Sequence, residues 1–249
     1  MHTTIGYAAA PTLTTEEFVD GAPDQHVRVV GDDIYIGKYN QIVAAMAMGH
    51  SVSYAKLESP SLRRVFSPFI VPKVSLAADS KDAWMPQDMS RNPLVLATNE
   101  ALNAKMLVSE VHADHYNVVG INLAEGALAT VSGPIHTLYI VDEGDVCPIG
   151  VWTNLQLTLG IDLPVGRYQV VGAQCFSNFG GLFRLVPIGE DYRPGGIMGD
   201  DLHPYNAGVQ RMGNWGVWCE FDQLTPPSID ILPYKATGWF TLALDLIKV

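Results

Sequence analysis

The sequence predicts an all-β fold of two tandem jelly-roll β-sandwiches related by an internal duplication. Three observations predict it. Short runs rich in β-branched and aromatic residues, bounded by Gly, Pro, Asn and Asp, recur along the chain. One phrase is written twice, 129 positions apart. Charged residues make up only 16% of the 249 residues, against about a quarter in an ordinary soluble domain, so part of the outer surface is expected to be covered by neighbouring copies.

Residues 1–25 lack periodicity and read as an N-terminal arm, with Thr14-Thr15-Glu16-Glu17 able to open a short helix or sit in a polar loop. From Val27 the strand-like runs are "HVRVV", "HYNVVGINL", "HTLYIV", "VWTNLQLTL", "RYQVVG", "GLFRLV", "WGVWCEF" and "GWFTLALDLI". Two windows favour helix by composition, "TNEALNAKML" and "QIVAAMAMG". The second is assigned to a strand because of the repeat.

In that repeat, "HVRVVGDDIYIGKYNQIVAAM" lies over "LQLTLGIDLPVGRYQVVGAQC". Gly31 meets Gly160, Asp33 meets Asp162, Gly37 meets Gly166, Tyr39 meets Tyr168 and Ala44 meets Ala173. Near the two ends, "YNVVGINL" from Tyr116 lies over "WFTLALDL" from Trp239, with Asn122 on Asp245. In the second copy Pro164 presets φ, Gly166 follows in the turn, and a strand starts at Tyr168. The first copy keeps the glycine and loses the proline. The expected units are an arm over 1–25, a first jelly roll over 26–126, a linker over 127–134 and a second jelly roll over 135–249. Gly37, Tyr39, Gly166 and Tyr168 are the matched turn-and-strand starts.

Composition excludes several functions. With 15 Lys and Arg against 26 Asp and Glu, the net charge is −11. Direct nucleic-acid binding needs clustered cations, and the one dense pair is Arg63–Arg64. Cys147, Cys175 and Cys219 are far apart and odd in number, which fits buried thiols rather than a disulfide framework or zinc site. The N-terminal stretch lacks a signal-peptide pattern, and no apolar run approaches a membrane span.

Of the seven histidines (His2, His26, His50, His112, His115, His136, His203), only His112-Ala113-Asp114-His115 forms a cluster, read as a solvated loop in preference to a metal site. "HTLYIVDEGDV" from His136 has a cupin flavour, but neither half carries the paired-histidine ligand pattern. The Gly-Asp-Asp runs at Gly31 and Gly199 read as turns, and "GEDYRPGGIMGDD" as a surface loop rather than a calcium site. "GNWGVWCEF" places Trp215 and Trp218 where both strand faces are apolar, which favours burial over a sugar platform. No residue is assigned a catalytic, cofactor-binding or metal-binding role.

The repeat "DIYIGKY"/"DLPVGRY", the strand-rich halves and the low charge resemble the double jelly-roll major capsid proteins of the adenovirus-like lineage, which includes small tail-less icosahedral bacteriophages. The resemblance covers roughly residues 26–249 and is architectural. It implies a homotrimeric capsomer of pseudo-hexagonal outline, contacting neighbouring capsomers and other virion proteins such as a penton, with no enzymatic activity and no cofactor. It places the protein in a virion assembled in the host cytoplasm, with or without an underlying membrane. The alternatives are a carbohydrate-binding or adhesive tandem β-sandwich and a bicupin-like metalloenzyme.

Overall fold

The β-branched and aromatic runs fold as strands: in the computed structural model 55% of the described residues are in strands and 3% in helices. The structure describes residues 1–9, 15–49, 52–65, 69–71, 86–108, 116–145, 147–159, 163–177, 180–200, 208–234 and 238–249.

The first half contains β1 (His2–Ala9), β2 (Glu17–Val19), β3 (Arg28–Val30), β4 (Asp33–Tyr35), β5 (Gln41–Met48), β6 (Val52–Glu58), α1 (Pro60–Val65), β7 (Phe69–Val71), β8 (Gln87–Asp88), β9 (Leu94–Val95), β10 (Ala101–Val108) and β11 (Asn117–Ala124). One sheet runs β1-β11-β5-β8, with β9 also on β5. A second runs β3-β4-β10-β6-β7, with β2 also on β10. Ile5 and Tyr7 of β1 point into the core between them, where the Tyr7 hydroxyl donates to the Leu102 carbonyl of β10.

The second half contains β12 (His136–Asp145), β13 (Thr153–Leu155), β14 (Arg167–Ser177), β15 (Gly181–Val186), β16 (Gly195–Asp200), a 3-10 turn (Gly208–Gln210), β17 (Cys219–Asp222), β18 (Ser228–Pro233) and β19 (Gly238–Lys248). Its strands form one sheet with two arms. One arm is β12-β19-β14, with β17 also on β14, and the other is β16-β15-β18-β13. A parallel pairing of Cys175–Ser177 with Met198–Asp200 joins them. Phe183, Leu185, Ile229 and Ile231 share one apolar core with Leu242, Leu244 and Leu246.

The halves meet along a seam between the β1-β11-β5 sheet and the β16-β15-β18-β13 arm. Gly6 of β1 and Gly120 of β11 face each other in register. A Cβ on Gly6 would lie 2.6 Å from Leu232 Cδ2, and one on Gly120 would lie 2.6 Å from Leu182 Cδ2. Leu182 and Leu232 are themselves a cross-strand pair of β15 and β18. The two missing side chains therefore seat two leucines, and the sheets approach closely. This is why β11 is buried at every position and β5 at nearly every one. A sheet covered on both faces reads as a continuous apolar run, not as alternation.

Three expectations are corrected. Residues 1–25 are not an arm: β1 pairs with β11 over its whole length, and β2 pairs with β10, so the first half starts at His2. His2, Thr3, Thr4 and Gly6 of β1 are buried because the strand's second face packs on the other half. The helix-favouring window at 98–107 contains β10, whose buried residues alternate strictly, so tertiary pairing overrides propensity. Trp215 and Trp218 precede β17 in a looped segment instead of sharing a strand with it.

Both matched glycines carry the turn conformation, Gly37 at φ 58° and Gly166 at φ 153°. Valine at either position is strained at the backbone, and at 166 its Cβ would also meet Lys248 Cε at 2.7 Å. Gly37→Val and Gly166→Val are each expected to cost about 1–3 kcal/mol, read as a lowered midpoint in urea denaturation.

Candidate functional site

Among the described residues no group of three or more His, Cys, Asp or Glu side chains could hold a metal. His136 lies alone on β12, while His112, Asp114, His115, His50 and His203 lie outside the described residues. The three cysteines are buried and form no disulfide, and burial pushes the thiols of Cys175 and Cys219 well up. No described helix is long and apolar enough to cross a membrane. What the fold builds instead is two kinds of surface, the seam and an open sheet face.

The seam is polar at its centre. Arg184 of β15 is 3% exposed and donates through Nε to Asp230 at 2.9 Å, through Nη2 to Asp24 at 3.2 Å and through Nη1 to the Thr4 carbonyl at 3.2 Å. Its guanidinium lies 4.1 Å from the Trp152 ring centre. Arg193 donates its backbone N–H to Thr3 and accepts the Thr4 N–H at its carbonyl. Lys38 and the Tyr39 hydroxyl both reach Asp191. The Asp191 carboxyl is held below its ordinary range, chiefly by the Lys38 bond. The segment around Asp191 and Arg193, expected as a plain surface loop, is thus part of the seam, and β16 follows it. The signal for such residues was a lone charge inside an apolar run, "GLFRLV" for Arg184 and "LALDLI" for Asp245, because a buried charge demands a partner.

Trp215 and Trp218 are fully buried and stack on each other at 6.2 Å. Trp215 Nε1 donates to Asp88 of the first half. Buried rings cannot serve as a sugar platform, so Trp215 and Trp218 have a packing role, whereas Trp239, the third tryptophan of that group, is 41% exposed.

A second, less visible repeat appears at the edges of the two halves. Thr4 of β1 faces Asn122 of β11, and its hydroxyl donates to Asn122 Oδ1 at 2.8 Å. Thr137 of β12 faces Asp245 of β19, and its hydroxyl donates to Asp245 Oδ1 at 2.9 Å. Asn122 and Asp245 are both fully buried. Immediately after each, the pairing with β5 or β14 shifts by one residue. Asn122 Nδ2 donates across the seam to the Gly195 carbonyl at 3.0 Å. Asp245 instead accepts from Arg211 at 2.6 Å and from the Met212 N–H at 2.9 Å. Burial alone would raise the Asp245 carboxyl; these bonds outweigh it and hold it below the ordinary range.

The open face lies on the outside of the β12-β19-β14 arm. Tyr139 is 65% exposed, Val141 63% and Trp239 41%. In register, Tyr139 stands beside Ala243 and Val141 beside Thr241. Aromatic and β-branched side chains of this edge sheet thus stand largely in water.

Comparison with protein-family models finds no match, and comparison with curated protein sequences finds none. Among solved structures the chain is similar to the major capsid protein P2 from bacteriophage PM2, at 8% identity and a TM-score of 0.26, over 100% of this chain and 98% of that one. A likeness of that degree carries no weight for function, which rests on the chain's own geometry.

Proposed function

We propose that the chain is a double jelly roll that arose by duplication, and that it is the structural subunit of an icosahedral shell, assembling as a trimer. Support for duplication comes from strand order. In the first half, the opening strand pairs with the closing one, and β5 lies beyond it, in the order β1-β11-β5-β8. In the second half the corresponding order is β12-β19-β14-β17, with β14 the strand that the twice-written phrase introduces. The partner sheets correspond likewise, β4-β10-β6-β7 to β13-β18-β15-β16. The two Thr–Asn and Thr–Asp pairs occupy equivalent places.

The observation that carries the trimer is an asymmetry between equivalent faces. The outer face of β1-β11-β5 is covered by the β16-β15-β18-β13 arm of the same chain. The equivalent face of β12-β19-β14 is covered around Asp245 by Arg211 and Met212 of the same chain, and beyond them it is open and displays Tyr139, Val141 and Trp239. The sheet that should cover it by the same packing is β4-β10-β6-β7, and that belongs to the next copy. Such a head-to-tail contact either closes into a ring or runs on as a filament. If each sandwich repeats the turn of its predecessor, three chains close a ring of six sandwiches with a pseudo-hexagonal outline. Mass photometry of the purified protein tests this: trimers or closed shells are expected, and a persistent monomer would refute it. In keeping with the resemblance noted above, the proposed setting of such rings is a virion, with neighbouring capsomers as partners and a structural role.

A further inference from the structure

We propose that the seam between the two halves is an acid-sensitive latch, held shut by two histidines that must both stay neutral, His2 and His26. Both belong to the first half and both meet residues of the second. The inference is independent of whether the chain assembles.

His26 lies with Nδ1 3.1 Å from Nη2 of Arg193. A guanidinium only donates, so Nδ1 must accept and the ring proton sits on Nε2. Protonation would turn that acceptor into a donor facing a cation. The charged groups around the ring are Arg193, Arg184, Asp24 and Asp230. Asp24 accepts the His26 backbone N–H at 2.8 Å, and both carboxylates are already engaged by Arg184. A new positive charge there gains no free carboxylate. Burial, then the Arg193 charge, already lowers the pKa of His26.

His2 is latched by packing instead. Its ring is fully buried, edge-on to Trp218 at 5.0 Å and to Trp215 at 6.0 Å. Neither ring nitrogen has a hydrogen-bond partner, and neither has Trp218 Nε1. The groups acting on it are the chain's amino group, which opposes a second positive charge, and the Gly195 carbonyl of β16, which weakly favours one. No carboxylate is among them. An imidazolium gains something from tryptophan faces, but at most about 2 kcal/mol, less than the several kcal/mol of burying an unpaired ion. Desolvation brings the His2 pKa down to about 3.

Both pKa values are depressed in the closed seam relative to 6.5 in an open or unfolded chain. The open state therefore binds more protons below pH 6.5. Stability of the closed seam is fully present above that pH and is lost as pH falls toward the closed-state values, by up to tenfold in the equilibrium per pH unit for the buried His2 and by less for His26, which is largely exposed. The lowered carboxyls Asp191, Asp245 and Glu100 start from ordinary values of 3.8 to 4.5, so they contribute below that range. The window from pH 6.5 to 5 lies above those carboxyls, and across it His2 alone is expected to shift the equilibrium about fifteenfold.

The experiment is urea denaturation at pH 7 and pH 5, followed by tryptophan fluorescence, on the wild type, His2→Phe, His26→Gln and the double variant. Glutamine keeps an acceptor for Arg193. The wild-type midpoint is expected to drop at pH 5, each single variant to drop less, and the double variant to stay nearly level. An unchanged wild-type midpoint, or a double variant that drops as far as the wild type, overturns the latch. If His2→Phe does not fold, histidine C2–H exchange read by mass spectrometry on the wild type decides. Values for His2 and His26 below 6.5 support the latch, and a value at or above 6.5 for either overturns it.

Discussion

Replacing Arg184 by methionine is expected to lower stability by about 3–5 kcal/mol, the cost of breaking a buried ion cluster from one side. Arg184 bonds both Asp24 of the first half and Asp230 of the second, and all three side chains are at most 9% exposed. Methionine matches the apolar stem but leaves two carboxylates facing each other without water. Each would have to take up a proton or draw solvent into the seam. The loss should show in urea denaturation as a lower midpoint. Adding Asp24→Asn and Asp230→Asn to Arg184→Met should recover part of it, because amides remove the stranded charges. A single variant with an unchanged midpoint would mean that the cluster does not hold the halves together.

The second large effect concerns assembly and leaves the fold alone. Tyr139→Asp combined with Val141→Asp places two carboxylates on the open face of β12. Both side chains are mostly in water in the single chain, so folding stability should change by no more than about 0.5 kcal/mol per site. In a ring of copies the same positions would be covered, and an unpaired buried carboxylate at a contact costs several kcal/mol. Association is therefore expected to weaken by at least about a hundredfold, with the unfolding midpoint nearly unchanged. Size-exclusion chromatography beside urea denaturation separates the two effects. A double variant that still assembles would show that this face is not the contact.

The phrase around Gly37 and Gly166 was legible because it is local: a glycine turn and a strand start lie within a few residues, and both stretches use them before β5 and β14. The corresponding Asn122 and Asp245 were also aligned from sequence. Their threonine partners were not, because Thr4 and Thr137 sit on strands 118 and 108 residues away. "HTTIGYAA" did not read as a strand because its second face packs on another half of the same chain. There, glycine and threonine serve close approach, where hydrophobic alternation would signal a solvent face. For the same reason, "GEDYRPGGIMGDD" looked like a solvated loop. Its glycines allow backbone contact, and a Cβ at Gly195 would meet the Phe183 carbonyl oxygen at 2.0 Å. Tryptophan burial was read correctly from the two-sided apolar pattern, though the strand carrying it was not.

The measurement that bears most directly on the central claim is the mass of the native protein in solution at micromolar concentration and pH 7. The open face of β12-β19-β14 predicts a species of three times the 27.1 kDa chain, or a closed shell built from it. A single 27.1 kDa species that persists at the highest attainable concentration would contradict the ring, and with it the reading of this chain as a shell subunit.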